Sequence, residues 1–292
     1  MTAITLDAMA KINLSLDVLR ERADGYHDLR MVMQSVLLHD TVKIEMQAQP
    51  GIRLRMKGTD QLPEDSRNIA WRAARRMLDA AGSDAGVSIE IEKRIPAAAG
   101  MAGGSTDCAA VLRGMNELLG LGMSLERLME EGAHLGADVP FCILRRTALA
   151  EGIGQILTPA PPLPDCSILL AKPPVSVSTA HVYQNLVLDG CSPHPDVSAM
   201  LQALEKESLA EAARNMGNIL ETVTIVEHPV IAGLKAAMMR EGALGSLMSG
   251  SGPTVFGLFE EDRAARQAGE VLSKEYPDTR VILTRPCRIQ QL

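Results

Sequence analysis

The sequence predicts an α+β protein of two lobes, and three observations lead there. The chain has 292 residues, more than the roughly 100–200 of a common single domain. Segments with an apolar period of two alternate with segments of helical period, so sheet and helix are interleaved. A proline-rich stretch, Thr158-Pro159-Ala160-Pro161-Pro162-Leu163-Pro164, reads as a linker. It divides the chain into residues 1–157 and 165–292.

The strands announce themselves in order. Val42, Ile44 and Met46 interleave with Lys43, Glu45 and Gln47. After a Pro50-Gly51 turn, Ile52, Leu54 and Met56 interleave with Arg53, Arg55 and Lys57. Val87, Ile89 and Ile91 interleave with Ser88, Glu90 and Glu92. Such alternation means a sheet with one buried face. Helical spacing links Ala70, Ala73, Ala74, Met77, Leu78 and Ala81, with Gly82 as a stop. A second stripe runs through Cys108, Val111, Leu112, Met115 and Leu119, and a third through Leu125, Leu128, Met129 and Ala133. Beyond the linker come a short apolar run at Ile168-Leu169-Leu170-Ala171 and long helical patterns over about 197–240. Strand-like runs follow at 254–259 and at Val281-Ile282-Leu283, with a helix between them.

Composition narrows the function classes. A net charge of -7 argues against a general nucleic-acid or anionic-membrane surface. No apolar run approaches the roughly 18 residues of a membrane span. The start, Met1-Thr2-Ala3-Ile4-Thr5-Leu6-Asp7, has no basic stretch followed by an apolar one. Cys108, Cys142, Cys166, Cys191 and Cys287 show neither metal-ligand nor disulfide spacing. A cytoplasmic protein is expected, a monomer or weak homodimer, with no nucleic-acid or membrane partner and no protein metal cluster. Aromatic residues make up only 2%, so each one outside an apolar pattern merits attention.

Five segments carry chemistry. Pro96-Ala97-Ala98-Ala99-Gly100-Met101-Ala102-Gly103-Gly104-Ser105-Thr106-Asp107 joins a strand to the helix at Cys108. Small residues let a ligand approach the backbone, and a helix start offers free N–H groups and a positive dipole end for an anion. Ser105 and Thr106 would cap that helix or reach a metal-bound phosphate. The segment lacks the Gly-Lys-Ser/Thr ending of a Walker A loop, and taken alone it reads equally as a plain turn. In Ala10-Lys11-Ile12-Asn13-Leu14-Ser15-Leu16, alternation puts Lys11, Asn13 and Ser15 on one face, either a pocket wall or a solvent face. Ala23-Asp24-Gly25-Tyr26-His27-Asp28 is a turn with a flat ring beside a switchable donor, or simply a decorated hairpin tip. Leu135-Gly136-Ala137-Asp138-Val139-Pro140 fixes Asp138 at the end of an element, as a site residue or as a turn aspartate. Met248-Ser249-Gly250-Ser251-Gly252-Pro253-Thr254 is a second small-residue loop, or a tight turn.

Together and in this order, the segments resemble the GHMP kinases, named for galactokinase and the homoserine, mevalonate and phosphomevalonate kinases. Residues 10–16, 96–107 and 248–254 match that family's N-terminal strand, its Pro-x-x-x-Gly-Leu-Gly-x-x-x-Ser-type phosphate loop and its C-terminal glycine-rich loop. The likeness covers about residues 8–145, and more thinly 168–185 and 246–259. It implies an N-terminal lobe like ribosomal protein S5 domain 2 and a ferredoxin-like C-terminal lobe. The segments around Lys11, Tyr26 and Asp138 are most similar to the branch that phosphorylates the 2-hydroxyl of 4-diphosphocytidyl-2-C-methyl-D-erythritol, on the non-mevalonate route to isoprenoid precursors.

The resemblance implies ATP with Mg²⁺ and a small cytidylyl polyol as substrates. It casts Asp138 as the base and Lys11 beside the reacting oxygen. Backbone N–H groups of Pro96 to Thr106 (proline excepted) would bind the phosphates, supported by Gly250, Ser251 and Gly252. Tyr26 would stack on cytosine, His27 would bond its edge, and Tyr183 of Ser178-Thr179-Ala180-His181-Val182-Tyr183 would close the sandwich, with Asn13 and Thr179 as further contacts. The chain departs from the family at Ala102, where glycine is usual, and at Thr106, where serine is. A homoserine or mevalonate-type kinase and a non-catalytic α+β binding module are the competing readings.

Overall fold

The computed structural model describes residues 2–58, 62–189, 192 and 194–288; Met1 and Cys191 lie outside them. The chain gathers into two compact units that interleave along it. Met1–Ala10, Leu38–Ala97 and Ala102–Arg145 form the first unit, and Lys11–Leu37, Ala98–Met101 and Arg146–Leu292 the second. The interleaving follows from two long strands, β1 (Ala3–Glu21) and β2 (His27–Gln47), each of which contributes residues to both units.

The first unit continues with β3 (Gly51–Lys57), α1 (Ile69–Ala81), β4 (Gly86–Glu92), α2 (Gly103–Leu118), α3 (Leu125–Ala133) and α4 (Val139–Leu144). β4 lies between its neighbours: Thr41–Gln47 of β2 run antiparallel to it, and β3 runs parallel. The alternation read from sequence sets this register, with Val42, Ile44, Val87, Ile89 and Ile91 all buried. α1 starts at Asn68, whose side chain accepts from the Ala70 amide at 2.9 Å. It buries Ala70, Ala73, Ala74, Met77 and Leu78 and stops at Gly82 in the left-handed conformation. α1 packs on α2, whose buried stripe includes Cys108, Val111, Leu112 and Met115. α2 begins at Gly103, five residues earlier than its apolar stripe suggests.

The second unit adds β5 (Ala148–Gly152), β6 (Ile156–Pro159), β7 (Ser167–Lys172), α5 (Thr179–Gln184), α6 (Val197–Glu205), α7 (Leu209–Arg214), β8 (Gly217–Asn218), α8 (Glu221–Glu227), α9 (Val230–Arg240), β9 (Gly245–Met248), β10 (Val255–Phe259), α10 (Asp262–Glu275) and β11 (Arg280–Thr284). β5 pairs with Leu29–Met33 of β2, and β8 pairs with Ser15 and Leu16 of β1. A separate antiparallel sheet has the order β11-β7-β10-β9, with α9 and α10 packed on it and on each other. Residues 197–240, which read as long helical patterns, form four helices. Glu207 at φ 52 and Pro229 interrupt them, as does β8. The four described cysteines, Cys108, Cys142, Cys166 and Cys287, are buried. Among the described residues, no helix is long and apolar enough to cross a membrane.

Candidate active site

Lys11 and Asn13 lie in a stretch of β1 where every residue from 8 to 18, apart from Met9, is buried. The polar face read from the alternation is therefore interior. Burying a lysine is expensive unless it is held, and here Nζ donates to Asn13 Oδ1 at 2.7 Å. Asn13 in turn donates to Met31 Sδ at 3.2 Å. The Lys11 amide donates to the Met101 carbonyl at 3.2 Å, which ties the strand to the glycine-rich loop at residues 96–107.

The C-terminal small-residue loop meets the same place. Ser249 Oγ donates to the Gly100 carbonyl at 3.0 Å. Asn218 fixes this loop by donating to the carbonyls of Met248 at 2.8 Å and Gly250 at 2.7 Å. The fit needs glycine. A Cβ on Gly100 would lie 2.2 Å from the Ser249 carbonyl oxygen, and one on Gly250 would lie 3.2 Å from the Gly100 oxygen and 3.4 Å from Lys11 Nζ. Thr179 and Ser251 share a hydrogen bond of 2.8 Å between their hydroxyls. The second unit thus brings together Lys11, Asn13, Gly100, Met101, Thr179, Gly250 and Ser251. Gly252, at φ 90, donates its amide back to the Ser249 carbonyl.

The backbone of the glycine-rich loop at residues 96–107 alternates in hand. Ala98 (φ 48), Gly100 (φ 71) and Ala102 (φ 57) are left-handed, and the residues between them are not. Alternation of this kind turns successive N–H groups toward one side, forming a concavity suited to an anion. Pro96 and Ala99 are buried, while Ala97 and Ala98 are exposed.

In the first unit, Ala102 caps α2 without a side-chain hydrogen bond. Ser105 and Thr106 do not cap the helix; they belong to its first turn, and Thr106 Oγ1 donates to the Met9 carbonyl at 2.6 Å. The Thr106 amide makes the first intrahelical bond, to Ala102, so the amides of Gly103, Gly104 and Ser105 have no acceptor within the helix. Asp138 precedes α4 at the cap position, half-buried, and its side chain makes no capping bond. Its carboxylate is not consumed by the helix that positions it.

The first unit also holds a cluster that the sequence reading missed. Lys93 donates to Asp107 Oδ2 at 2.6 Å and pairs with Asp40, and all three side chains are buried. Burial pulls the Lys93 ammonium down, but Asp107 and Asp40 outweigh it and hold it above its usual range. Burial, reinforced by the charge of Asp40, pushes the Asp107 carboxyl up to about 8 despite Lys93. The only sequence signal was Asp107 itself, directly after Thr106. Asn218 carried no signal at all, since its partners lie some thirty residues away.

The turn at Asp24-Gly25 is braced by charge. Arg22 donates to both Asp24 and Asp28, and Arg20 donates to Asp28 at 2.6 Å. The Arg22 hydrogen bonds hold Asp24 below the usual carboxylate range, and Arg20 followed by Arg22 does the same for Asp28. Tyr26 is exposed at this tip, and the ring that Tyr183 meets is that of His27, with centroids 5.1 Å apart and planes at 39°. Among the described residues, no group of three or more His, Cys, Asp or Glu is placed to hold a metal ion.

Known proteins share both the sequence and the fold. The GHMP kinases N terminal domain matches residues 68–146, and the GHMP kinases C terminal domain matches residues 200–278. A 4-diphosphocytidyl-2-C-methyl-D-erythritol kinase of Lachnoclostridium phytofermentans is 50% identical over 92% of each chain. One of Geobacter sulfurreducens is 51% identical over 93% of this chain and 95% of its own. A crystal structure of 4-(cytidine 5'-diphospho)-2C-methyl-D-erythritol kinase superposes with a TM-score of 0.83 at 34% identity, covering 98% of this chain and 100% of the other. A homoserine kinase from Cytophaga hutchinsonii shares the fold, with a TM-score of 0.80 at 23% identity over 100% of this chain and 96% of its own. The chain belongs to the GHMP kinases and, within them, to the 4-diphosphocytidyl-2-C-methyl-D-erythritol kinases, enzymes that transfer phosphate from ATP to an alcohol.

Proposed function

We propose that this chain moves the γ-phosphoryl group of ATP onto the 2-hydroxyl of 4-diphosphocytidyl-2-C-methyl-D-erythritol, on the non-mevalonate route to isoprenoid precursors. The observation that carries the phosphate site is the backbone whose hand alternates through Ala98, Gly100 and Ala102 into the start of α2. Such a loop supplies N–H groups without any lysine of its own. Phosphoryl transfer needs mainly positioning and charge stabilisation.

In this mechanism Asp138 takes the proton of the substrate hydroxyl, and the oxygen attacks the γ-phosphorus as the bond to the β-phosphate oxygen breaks. Lys11 offsets the negative charge that gathers there. Its support is a buried ammonium held by Asn13 alone among the described side chains, with two of its three protons left to donate. Backbone N–H groups from Ala97 to Ser105 hold the phosphates, the Thr106 amide being taken up within α2, and Gly250, Ser251 and Gly252 keep that loop in place. Mg²⁺ bound with the nucleotide would supply neutralisation of phosphate charge. Such an ion would be held mainly by phosphate oxygens and water, with the Ser105 hydroxyl the protein oxygen that could join them. At the cytidine end, Tyr26 and Tyr183 stack on the base and His27 bonds its edge, while Asn13 and Thr179 contact the polyol. We assign the lobes to residues 1–157 and 165–292 from the proline-rich linker, a division that differs from the interleaved compact units, and we take the protein as a cytoplasmic monomer or weak homodimer.

The test is an ATP-dependent assay with the cytidylyl substrate, homoserine and mevalonate in parallel, on wild type and Asp138→Asn. General-base catalysis is worth about 10²–10⁴-fold. Transfer to the cytidylyl compound alone is expected, with turnover of the variant reduced at least about 10²-fold and ATP affinity retained. Near-normal turnover of Asp138→Asn would remove Asp138 from the role. Transfer to homoserine or mevalonate instead would reassign the substrate.

A further inference from the structure

We propose that Asp40, Lys93 and Asp107 form a buried clasp that holds the two ends of the phosphate loop at a fixed separation, and that all three are positioning residues for ATP. The clasp lies wholly within the first unit. At the leading end, Asp40 Oδ1 accepts from the Ile95 amide at 2.8 Å and from the Arg94 amide, directly before Pro96. At the trailing end, Lys93 Nζ reaches the Gly103 carbonyl at 3.5 Å and Asp107 Oδ2 at 2.6 Å, in the first turns of α2. The Asp40–Lys93 ion pair joins the two ends. Gly103 is seated directly on the clasp: a Cβ there would lie 3.1 Å from Ile95 Cγ2 and 3.5 Å from Lys93 Nζ.

Stability alone does not account for this cluster. Buried ion pairs roughly cancel their own desolvation, and apolar replacements often stabilise instead. This cluster is worse placed than a simple pair, since it sets two acidic side chains against one ammonium. Side-chain exposures are only 6% for Lys93, 0% for Asp40 and 3% for Asp107. Asp107 Oδ1 is buried and has no hydrogen-bond partner among the described residues. What the cluster does secure is geometry. Each of its bonds ends on the backbone or the first turns that bound the loop, and phosphate contacts made by backbone N–H groups tolerate little misplacement.

The proposal rests on the assignment of residues 96–106 as the phosphate site, and the experiment separates the two. ADP and adenosine are titrated into the full-length protein, wild type and variant, at a temperature where each is folded by circular dichroism. Wild type is expected to prefer ADP; equal affinity for adenosine would overturn the phosphate-site assignment itself. Asp107→Ala is expected to weaken ADP about tenfold and to raise the KM for ATP to match. Adenosine affinity and the KM for the cytidylyl substrate should stay within about twofold. Asp107→Asn keeps an acceptor for Lys93 and is expected to recover most of the loss. Asp40→Asn keeps an oxygen for the Arg94 and Ile95 amides but gives up the ion pair, and it too is expected to weaken ADP. If wild type prefers ADP while Asp107→Ala and Asp40→Asn bind ADP within about twofold of wild type, the clasp is refuted. It is equally refuted if both variants lose ADP and adenosine in parallel, which would mark general damage.

Discussion

Replacing Gly100 by alanine tests how the phosphate loop is held. Gly100 has φ 71, and its added Cβ would lie 2.2 Å from the Ser249 carbonyl oxygen and 3.0 Å from that of Gly252. A carbon–oxygen contact normally sits at about 3.3–3.6 Å, so the backbones must part by about 1 Å. Both obstructing atoms are main-chain, and no side chain can swing aside. Alanine in the left-handed region costs about 1–2 kcal/mol, and overpacking costs about 1–3 kcal/mol. If the loops hold their positions, Gly100→Ala should lose about 2–5 kcal/mol of stability in urea unfolding. If they yield, the phosphate site shifts by about 1 Å, which is worth about 10²-fold in kcat/KM. Ser249→Ala is the control. It removes only the hydroxyl that donates to the Gly100 carbonyl, so it should cost about 0.5–1.5 kcal/mol. A Gly100→Ala protein with wild-type kcat/KM and an unchanged urea midpoint would refute the close approach of the two loops.

Other perturbations follow from the same geometry. Ala102 sits at φ 57 with no capping side chain, so Ala102→Gly should relieve about 1 kcal/mol of strain and raise Tm by about 2–4 °C; a lower Tm would show that no strain is stored there. Tyr183→Ala should raise the KM for the cytidylyl substrate by the equivalent of about 1–3 kcal/mol while the KM for ATP holds, and an unchanged substrate KM would mean that another ring covers the base. Asp107, faced by Lys93 and Asp40, keeps its proton up to about pH 8 when folded, whereas its ordinary value is 3.8. Between those values the folded state binds one more proton than the unfolded chain, so this group's contribution is complete below about pH 4 and disappears as pH rises through about 8. Urea midpoints at pH 5 and pH 8 should therefore differ less in Asp107→Asn than in wild type, and an equal difference in both would refute the buried, protonated state.

Legibility from sequence tracked burial. Residues 42–47, 52–57 and 87–92 were readable because one face of each strand stays polar. β1 showed its alternation over residues 10–16, but Ala8 and Ala10–Val18 are buried on both faces, so the pattern did not separate interior from solvent, and residues 31–36 of β2 are all buried and carry no period-two signal. For the same reason the lysine face of β1 looked like a possible solvent face. α2 was readable as a helix from its apolar stripe, but its start was hidden: Gly103 and Gly104 are poor helix formers, and the tertiary setting overrides that preference. At the site, Lys11, Asp138 and the two glycine-rich loops stood out as motifs in a fixed order. Asp40, Lys93 and Asn218 did not, because each matters through partners brought close only by the fold.

The phosphate loop concentrates the costs of this fold in one place. Ala98 and Ala102 occupy left-handed backbone that alanine avoids. Asp107 is buried with one oxygen unpaired among the described residues. Such states persist only where their surroundings over-determine them. Here the determinants are identifiable. Within the second unit the Lys11 amide and Ser249 hydroxyl grip the carbonyls of Met101 and Gly100. Within the first, Asp40 and Lys93 hold Ile95 and Gly103. Each grip falls on main-chain carbonyls or on amides just outside the loop, which leaves the N–H groups between them free to face an anion. A loop held by its own N–H groups would be just as rigid but would have nothing left to offer phosphate, so the choice of gripped atoms argues for a loop built around its ligand.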